Sequence, residues 1–172
     1  DNGTAVALTS SLKSGNCTIT SGKLMLGGSS LTVTGTFKVE ADGILELYGS
    51  EAVSATVAKT LETDSSVVFT GDGDLDSDTH IITDFSSDYY NLSISDTGGL
   101  DIFRTNSAVN VNGALSITGG TLDISTNANT LTTAGILTVD GGTLTATSGA
   151  IDANSHVVIS SGTLTAPSGN FN

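Results

Sequence analysis

Leu137-Thr-Val139-Asp-Gly-Gly-Thr-Leu144-Thr-Ala146 is the stretch of this 172-residue chain whose reading decides the fold. Alternation puts Leu137 and Val139 on one face of a short strand and the intervening Thr and Asp on the other. The Gly-Gly-Thr corner ends that strand, and Leu144 and Ala146 open a second with the same alternation. The pattern returns as Leu115-Ser-Ile117-Thr-Gly-Gly-Thr-Leu122-Asp-Ile124 and as Val157-Val-Ile159-Ser-Ser-Gly-Thr-Leu164-Thr-Ala166, at spacings of 22 and 20 residues.

A hairpin also gives strand, turn and strand, so the period is what discriminates. About 20–23 residues suit one coil of three short strands and three corners. The predicted fold is therefore all-β, a right-handed parallel β-helix (β-solenoid). Leu115, Leu137 and Val157 should stack in one interior ladder, Ile117, Val139 and Ile159 beside it, and Leu122, Leu144 and Leu164 in another. Outward Thr and Asp rows should coat the rod.

Working outward, a looser copy runs from Leu92-Ser-Ile94 to Leu100-Asp-Ile102, its turn lengthened by Asp96-Thr97-Gly98-Gly99. Related text lies at Cys17-Thr-Ile19, Leu24-Met-Leu26, Leu31-Thr-Val33, Phe37-Lys-Val39 and Ile44 to Leu47. Solenoid strands are thus expected over 16–172. Residues 1–15, with no glycine between Thr4 and Leu12, read as an N-terminal cap or an assembly strand, because solenoid ends need covering. Residues 50–66 lack glycine and read as an irregular insertion.

Composition agrees. Charged residues are 13% of the chain against a usual figure of roughly 25%, so uncharged Ser, Thr, Asn and Gly must form much of the surface. The 21 glycines and single proline suit many tight turns. A net charge of -13 repels phosphate backbones and anionic lipid, which argues against nucleic acid as a partner. No apolar run reaches the ~20 residues a membrane-spanning helix needs. The lone Cys17 has no cysteine in the chain to pair with and reads as a small buried side chain.

From Ser66 onward, Val67-Val-Phe69-Thr-Gly71, Tyr89-Tyr90-Asn91-Leu92-Ser-Ile94 and the Gly-Thr-Leu copies resemble β-helical repeat regions of large bacterial cell-surface proteins. The resemblance implies a parallel β-helix in a surface stalk, adhesin or filament, secreted and extracellular. It carries no active-site residues onto this chain.

Candidate chemistry is sparse. Asp72, Asp74, Asp76 and Asp78 alternate in Gly71-Asp-Gly-Asp-Leu-Asp-Ser-Asp78 and could offer carboxylate oxygens to calcium, the one cofactor the sequence suggests. Ser77 and Thr83 stand where an EF-hand needs Gly and Glu, and a solvated acidic face is the competing reading. Tyr89 and Tyr90, with Phe85 near, could stack on a glycan, but with no Trp and few aromatics in the chain, core or corner packing is the favoured reading. Polysaccharide cleavage would draw on Asp84, Asp88, Asp96 or Asp101, but neither His80 nor His156 lies in a catalytic phrase, and both read as surface or corner residues. Asn2, Asn16 and Asn91 begin glycosylation sequons. The expectation is a non-enzymatic structural rod that associates head to tail with itself or with other surface proteins. A glycan- or calcium-binding adhesin module is the alternative.

Overall fold

The computed structural model describes residues 4–82, 85 and 88–172. Among these there is no helix, and parallel strands stack into a β-solenoid of about seven turns with roughly 22 residues per coil.

Each regular coil contributes three strands, numbered here in chain order. The first face is one continuous sheet: β1 (Ala5–Ala7), β4 (Gly22–Met25), β7 (Gly43–Leu47), β10 (Ser66–Phe69), β12 (Asn91–Ser95), β15 (Leu115–Gly119), β18 (Leu137–Val139) and β21 (Val157–Ile159). The second strands form two sheets. One holds β2 (Leu12–Ser14), β5 (Leu31–Val33) and β8 (Val53–Ala55). The other holds β11 (Thr79–Ile81), β13 (Ile102–Arg104), β16 (Thr121–Asp123), β19 (Thr143–Thr145) and β22 (Thr163–Thr165). The third strands divide likewise into β3 (Cys17–Ile19), β6 (Thr36–Val39) and β9 (Ala58–Leu61), and β14 (Val109–Val111), β17 (Thr130–Thr133) and β20 (Ala150–Ala153).

Alternation within each strand sends every second side chain inward, and in-register parallel pairing stacks like on like. Val6, Leu24, Leu45, Val67, Leu92, Leu115, Leu137 and Val157 form one row along the first face. Leu47, Phe69, Ile94, Ile117, Val139 and Ile159 form the row beside it. On the second face, Phe103, Leu122, Leu144 and Leu164 lie side by side. Leu115, Ile117, Leu122, Leu137, Val139 and Leu144 are wholly buried, whereas Val157 and Leu164 are partly covered and Ile159 is exposed in the last coil.

The Gly-Gly-Thr corners are stacked as tightly as the strands. A β-carbon on Gly142 would lie 2.6 Å from Ile117 Cγ2 and 3.0 Å from the Gly120 carbonyl oxygen, one coil below. Only glycine allows that approach.

Three expectations are corrected. The solenoid begins ahead of residue 16: β1 and β2 pair in parallel with β4 and β5, so residues 5–14 are strands of the first coil rather than a cap over it. Residues 50–66 are no insertion, for β8 and β9 continue the ladders of β5 and β6. Their corner at Thr56 and Val57 has no positive φ, so it needs no glycine and escapes a reading based on glycine. The looser copy is also misaligned. Six residues join β12 to β13 where one joins β15 to β16, so the partner offset falls from 23 residues at Leu92 and Leu115 to 19 at Phe103 and Leu122; Phe103 takes the interior position beside Leu122 and Leu100 is left exposed.

Candidate functional site

Among the described residues, the ladders of the second and third faces are interrupted at the fourth coil, residues 66–90, where β8 does not pair with β11 nor β9 with β14. Coil spacing along the first face, 18 to 23 residues elsewhere, rises to 25 between Ser66 and Asn91. The extra length leaves the first face intact and loosens the other two. Polar groups fill the seam.

At its centre is His80, on β11, in the interior row continued by Phe103, Leu122, Leu144 and Leu164. Its ring stacks on Phe103 with centroids 5.3 Å apart and is 6% exposed. An imidazole at an apolar rung must find partners for both nitrogens or forfeit their hydration. Nδ1 lies 2.8 Å from Ser50 Oγ and Nε2 lies 3.2 Å from Asp101 Oδ2. Gly49 makes this approach feasible: its φ is 144°, and a β-carbon there would sit 2.6 Å from His80 Cβ.

Asp101 is buried and held from two further sides. Its Oδ1 accepts the Asp78 N–H at 3.1 Å, and its own N–H donates to Asp96 Oδ2 at 3.0 Å. Asp96 Oδ1 accepts the Gly98 N–H at 2.9 Å. The lengthened turn Asp96 to Gly99 is thus what carries Asp101 beneath the imidazole. On the opposite wall, buried Glu51 accepts N–H groups from Gly28 and Tyr48 at Oε1 (3.0 and 2.7 Å) and from Gly49 at Oε2 (2.7 Å). That cradle fixes the loop bearing Ser50. Ser50 itself is exposed and opens onto a cavity of about 260 Å³ that His80, Glu51, Asp72 and Asp78 also line.

The sequence candidates fare differently. Asp72, Asp74, Asp76 and Asp78 are all exposed and lie in a bend rather than a strand, so they form no single outward face. Asp72 and Asp74 each turn a carboxylate oxygen onto the N–H two residues on, at 3.2 and 3.0 Å. The hydrogen bond that a protonated Asp76 donates to Asp74, then the charges of Asp74, Asp78 and Asp72, pushes Asp76 above the usual carboxylate range. Among the described residues no group of three or more His, Cys, Asp or Glu is placed to hold a metal ion. Phe85 and Tyr89 are buried, ring edge to ring face at 5.9 Å, and so present no sugar-stacking platform. Tyr90 is half-buried, and the Asp64 charge raises its hydroxyl above the ordinary value.

Asn16 and Asn91 serve as corner braces: their Oδ1 atoms accept the N–H of Thr36 and Ala114, one coil on, at 2.9 and 3.0 Å. Cys17 is half-buried beside Phe37, and burial pushes its thiol up. His156 is exposed, as is Asp88, which accepts Asn110 Nδ2 at 3.0 Å. Asp84, Thr83 and Asn2 lie outside the described residues.

His80 is therefore no surface or corner residue, and the sequence reading missed its grouping with Ser50 and Asp101. One signal was there: a coil of about 22 residues brings position 80 alongside 101–103. No family model matches the chain, and no curated protein or solved structure matches it either.

Proposed function

We propose that this chain is an extracellular structural protein, a β-solenoid rod that associates head to tail with further copies of itself to build a filament or a cell-surface stalk. The state of its end coils carries this reading. In the first coil Val6 is 55% exposed and Leu12 40%; in the last, Ile159 is 49% exposed and Phe171 45%. Val6 and Ile159 belong to the interior rows of the first face, here uncovered, and the strand edges beside them are unpaired within these residues. In a parallel solenoid the edge at β21 matches the edge at β1, so a second copy continues the ladder with no change of shape.

Charge does not oppose the pairing, because residues 157–172 carry no Asp, Glu, Lys or Arg side chain to repel the first coil. The low charge and Ser/Thr-rich surface suit an extracellular setting, which the resemblance to cell-surface repeat proteins also implies.

Sedimentation velocity over a concentration series tests the proposal. Species should lengthen with concentration, and Ile159→Asp should hold the chain monomeric at an unchanged circular dichroism spectrum. Monomers at every concentration would overturn it.

A further inference from the structure

We propose that Ser50 is a nucleophile for acyl transfer, with His80 as its general base and Asp101 positioning the imidazole, and that the substrate is a small, uncharged or cationic carboxylic ester. The inference is independent of the rod reading, since it concerns the seam and not the ends.

It begins from a rung that breaks its own ladder. The positions stacked on His80 are Phe103, Leu122, Leu144 and Leu164, all apolar, and an apolar residue would satisfy the rod there as well. The imidazole instead bridges an exposed hydroxyl and a buried carboxylate. As a carboxylate Asp101 can only accept, so Nε2 carries the proton and donates at 3.2 Å. Nδ1 is then the free lone pair, and Ser50 Oγ donates to it at 2.8 Å. Nucleophile, base and orienting group thus lie in hydrogen-bond sequence, with the base in the tautomer that accepts a proton. The two ring nitrogens exchange the roles they have in serine proteases, which leaves the proton path unchanged.

Placement matches the chemistry. Ser50 is exposed at the mouth of the cavity, while His80 and Asp101 are buried behind it. Glu51 clamps the Ser50 loop through three backbone N–H groups, so the hydroxyl is held against Nδ1. Carboxylates of Glu51, Asp72 and Asp78 around the opening repel anions, which selects against acidic esters. A volume of about 260 Å³ admits a short acyl group and its alcohol.

The step balances without a cofactor. Ser50 Oγ bonds to the ester carbonyl carbon as its proton passes to His80 Nδ1. The bond from that carbon to the alcohol oxygen breaks, and the alcohol leaves with the proton from Nδ1. Water then attacks the acyl-serine, giving its proton to Nδ1, and the released Ser50 oxygen recovers it as the carboxylic acid departs.

The test uses the whole chain with a fluorophosphonate probe, whose phosphorus accepts the serine oxygen and expels fluoride, followed by intact mass and peptide mapping. One adduct, on Ser50, is expected. Ser50→Ala should take up none. His80→Gln, which keeps hydrogen-bonding groups and loses the base, should react about 100-fold or more slowly at an unchanged circular dichroism spectrum. With p-nitrophenyl acetate, Asp101→Asn should lower kcat about 100-fold and leave KM unchanged, a split that a loss of folded protein would not give. No adduct on Ser50 in the folded wild type, or equal labelling of His80→Gln, would overturn the proposal.

Discussion

The coils spanning residues 115–166 and the coil spanning 66–90 share one sheet and differ in nearly everything else. In the regular coils all three faces are paired and their interior rungs are almost entirely apolar. Among the described residues of the fourth coil only the first face runs through, and this coil buries His80 on β11 while the adjoining turns bury Glu51, Asp96 and Asp101. The difference teaches that one continuous face suffices to transmit the rod. The other two are then free to depart from the ladder, on condition that each buried polar group brings its own partners.

The largest expected effect breaks that condition in the regular half. Leu144 is wholly buried on the same row as His80, but its neighbours are Leu122 and Leu164. Leu144→Asp buries a charge with nothing to pair it, and the expected outcome is loss of folding, read as an absent melting transition. A folded Leu144→Asp would mean that the rod tolerates unpartnered polar rungs and that the seam's hydrogen bonds are incidental.

Next in size is the shared face itself. Phe69 sits in its interior row at the seam, packed on Phe103 at 6.1 Å between centroids. Phe69→Ala should cost about 3–5 kcal/mol in chemical denaturation, because it leaves a ring-sized hole in the packed core. Gly142→Ala should follow at about 1–3 kcal/mol, its new methyl driven against Ile117 and the Gly120 carbonyl.

A smaller effect depends on pH. Asp123 is buried in the regular half; burial alone would raise its pKa, but hydrogen bonds from Ser125 Oγ, Thr126 Oγ1, Ser125 N–H and Arg104 outweigh it and hold the carboxyl at about 2. A carboxyl held low stabilises the fold above its ordinary pKa near 4 and loses that contribution as pH falls toward 2. Asp123→Asn should therefore cost about 1–2 kcal/mol at neutral pH and little at pH 2, measured by denaturation across that window. An equal cost at both pH values would show that the side chain's shape, and not its charge, matters there.

How legible this was in the sequence follows the same division. Wherever glycine marks the corner, as at Gly119-Gly120 and Gly141-Gly142, alternation and period locate the strands and their ladder partners. Where a corner needs no positive φ, as at Thr56 and Val57, the coil is present and its punctuation is not. Leu100 was misplaced because the turn from Asp96 to Asp101 is longer than its counterpart at Gly120, which moves the interior position on to Phe103. The seam was hidden for a different reason. Ser50 and His80 lie 30 residues apart, more than one coil, and meet only because the fourth coil is long and Gly49 lets the chains approach. Asp101 was noted as an available acid, yet its burial depends on the Asp96 turn folding beneath it. Interior aromatics misled in the other direction: Phe85 packs against Phe37 and Tyr89 in the core, and Tyr89 bridges to Val111 on the third face.

The central claim is that this chain is one segment of a continuing ladder. Electron microscopy of purified material, with a power spectrum of any fibres, tests it most directly. Strands in a sheet stand about 4.8 Å apart, so eight rungs on the first face with an equal step at the joint give an axial repeat of about 38 Å. Fibres with that repeat and a 4.8 Å layer line, each about as wide as one rod, are the predicted result. Dispersed single rods at all concentrations, or fibres with the rods lying side by side, would contradict the account.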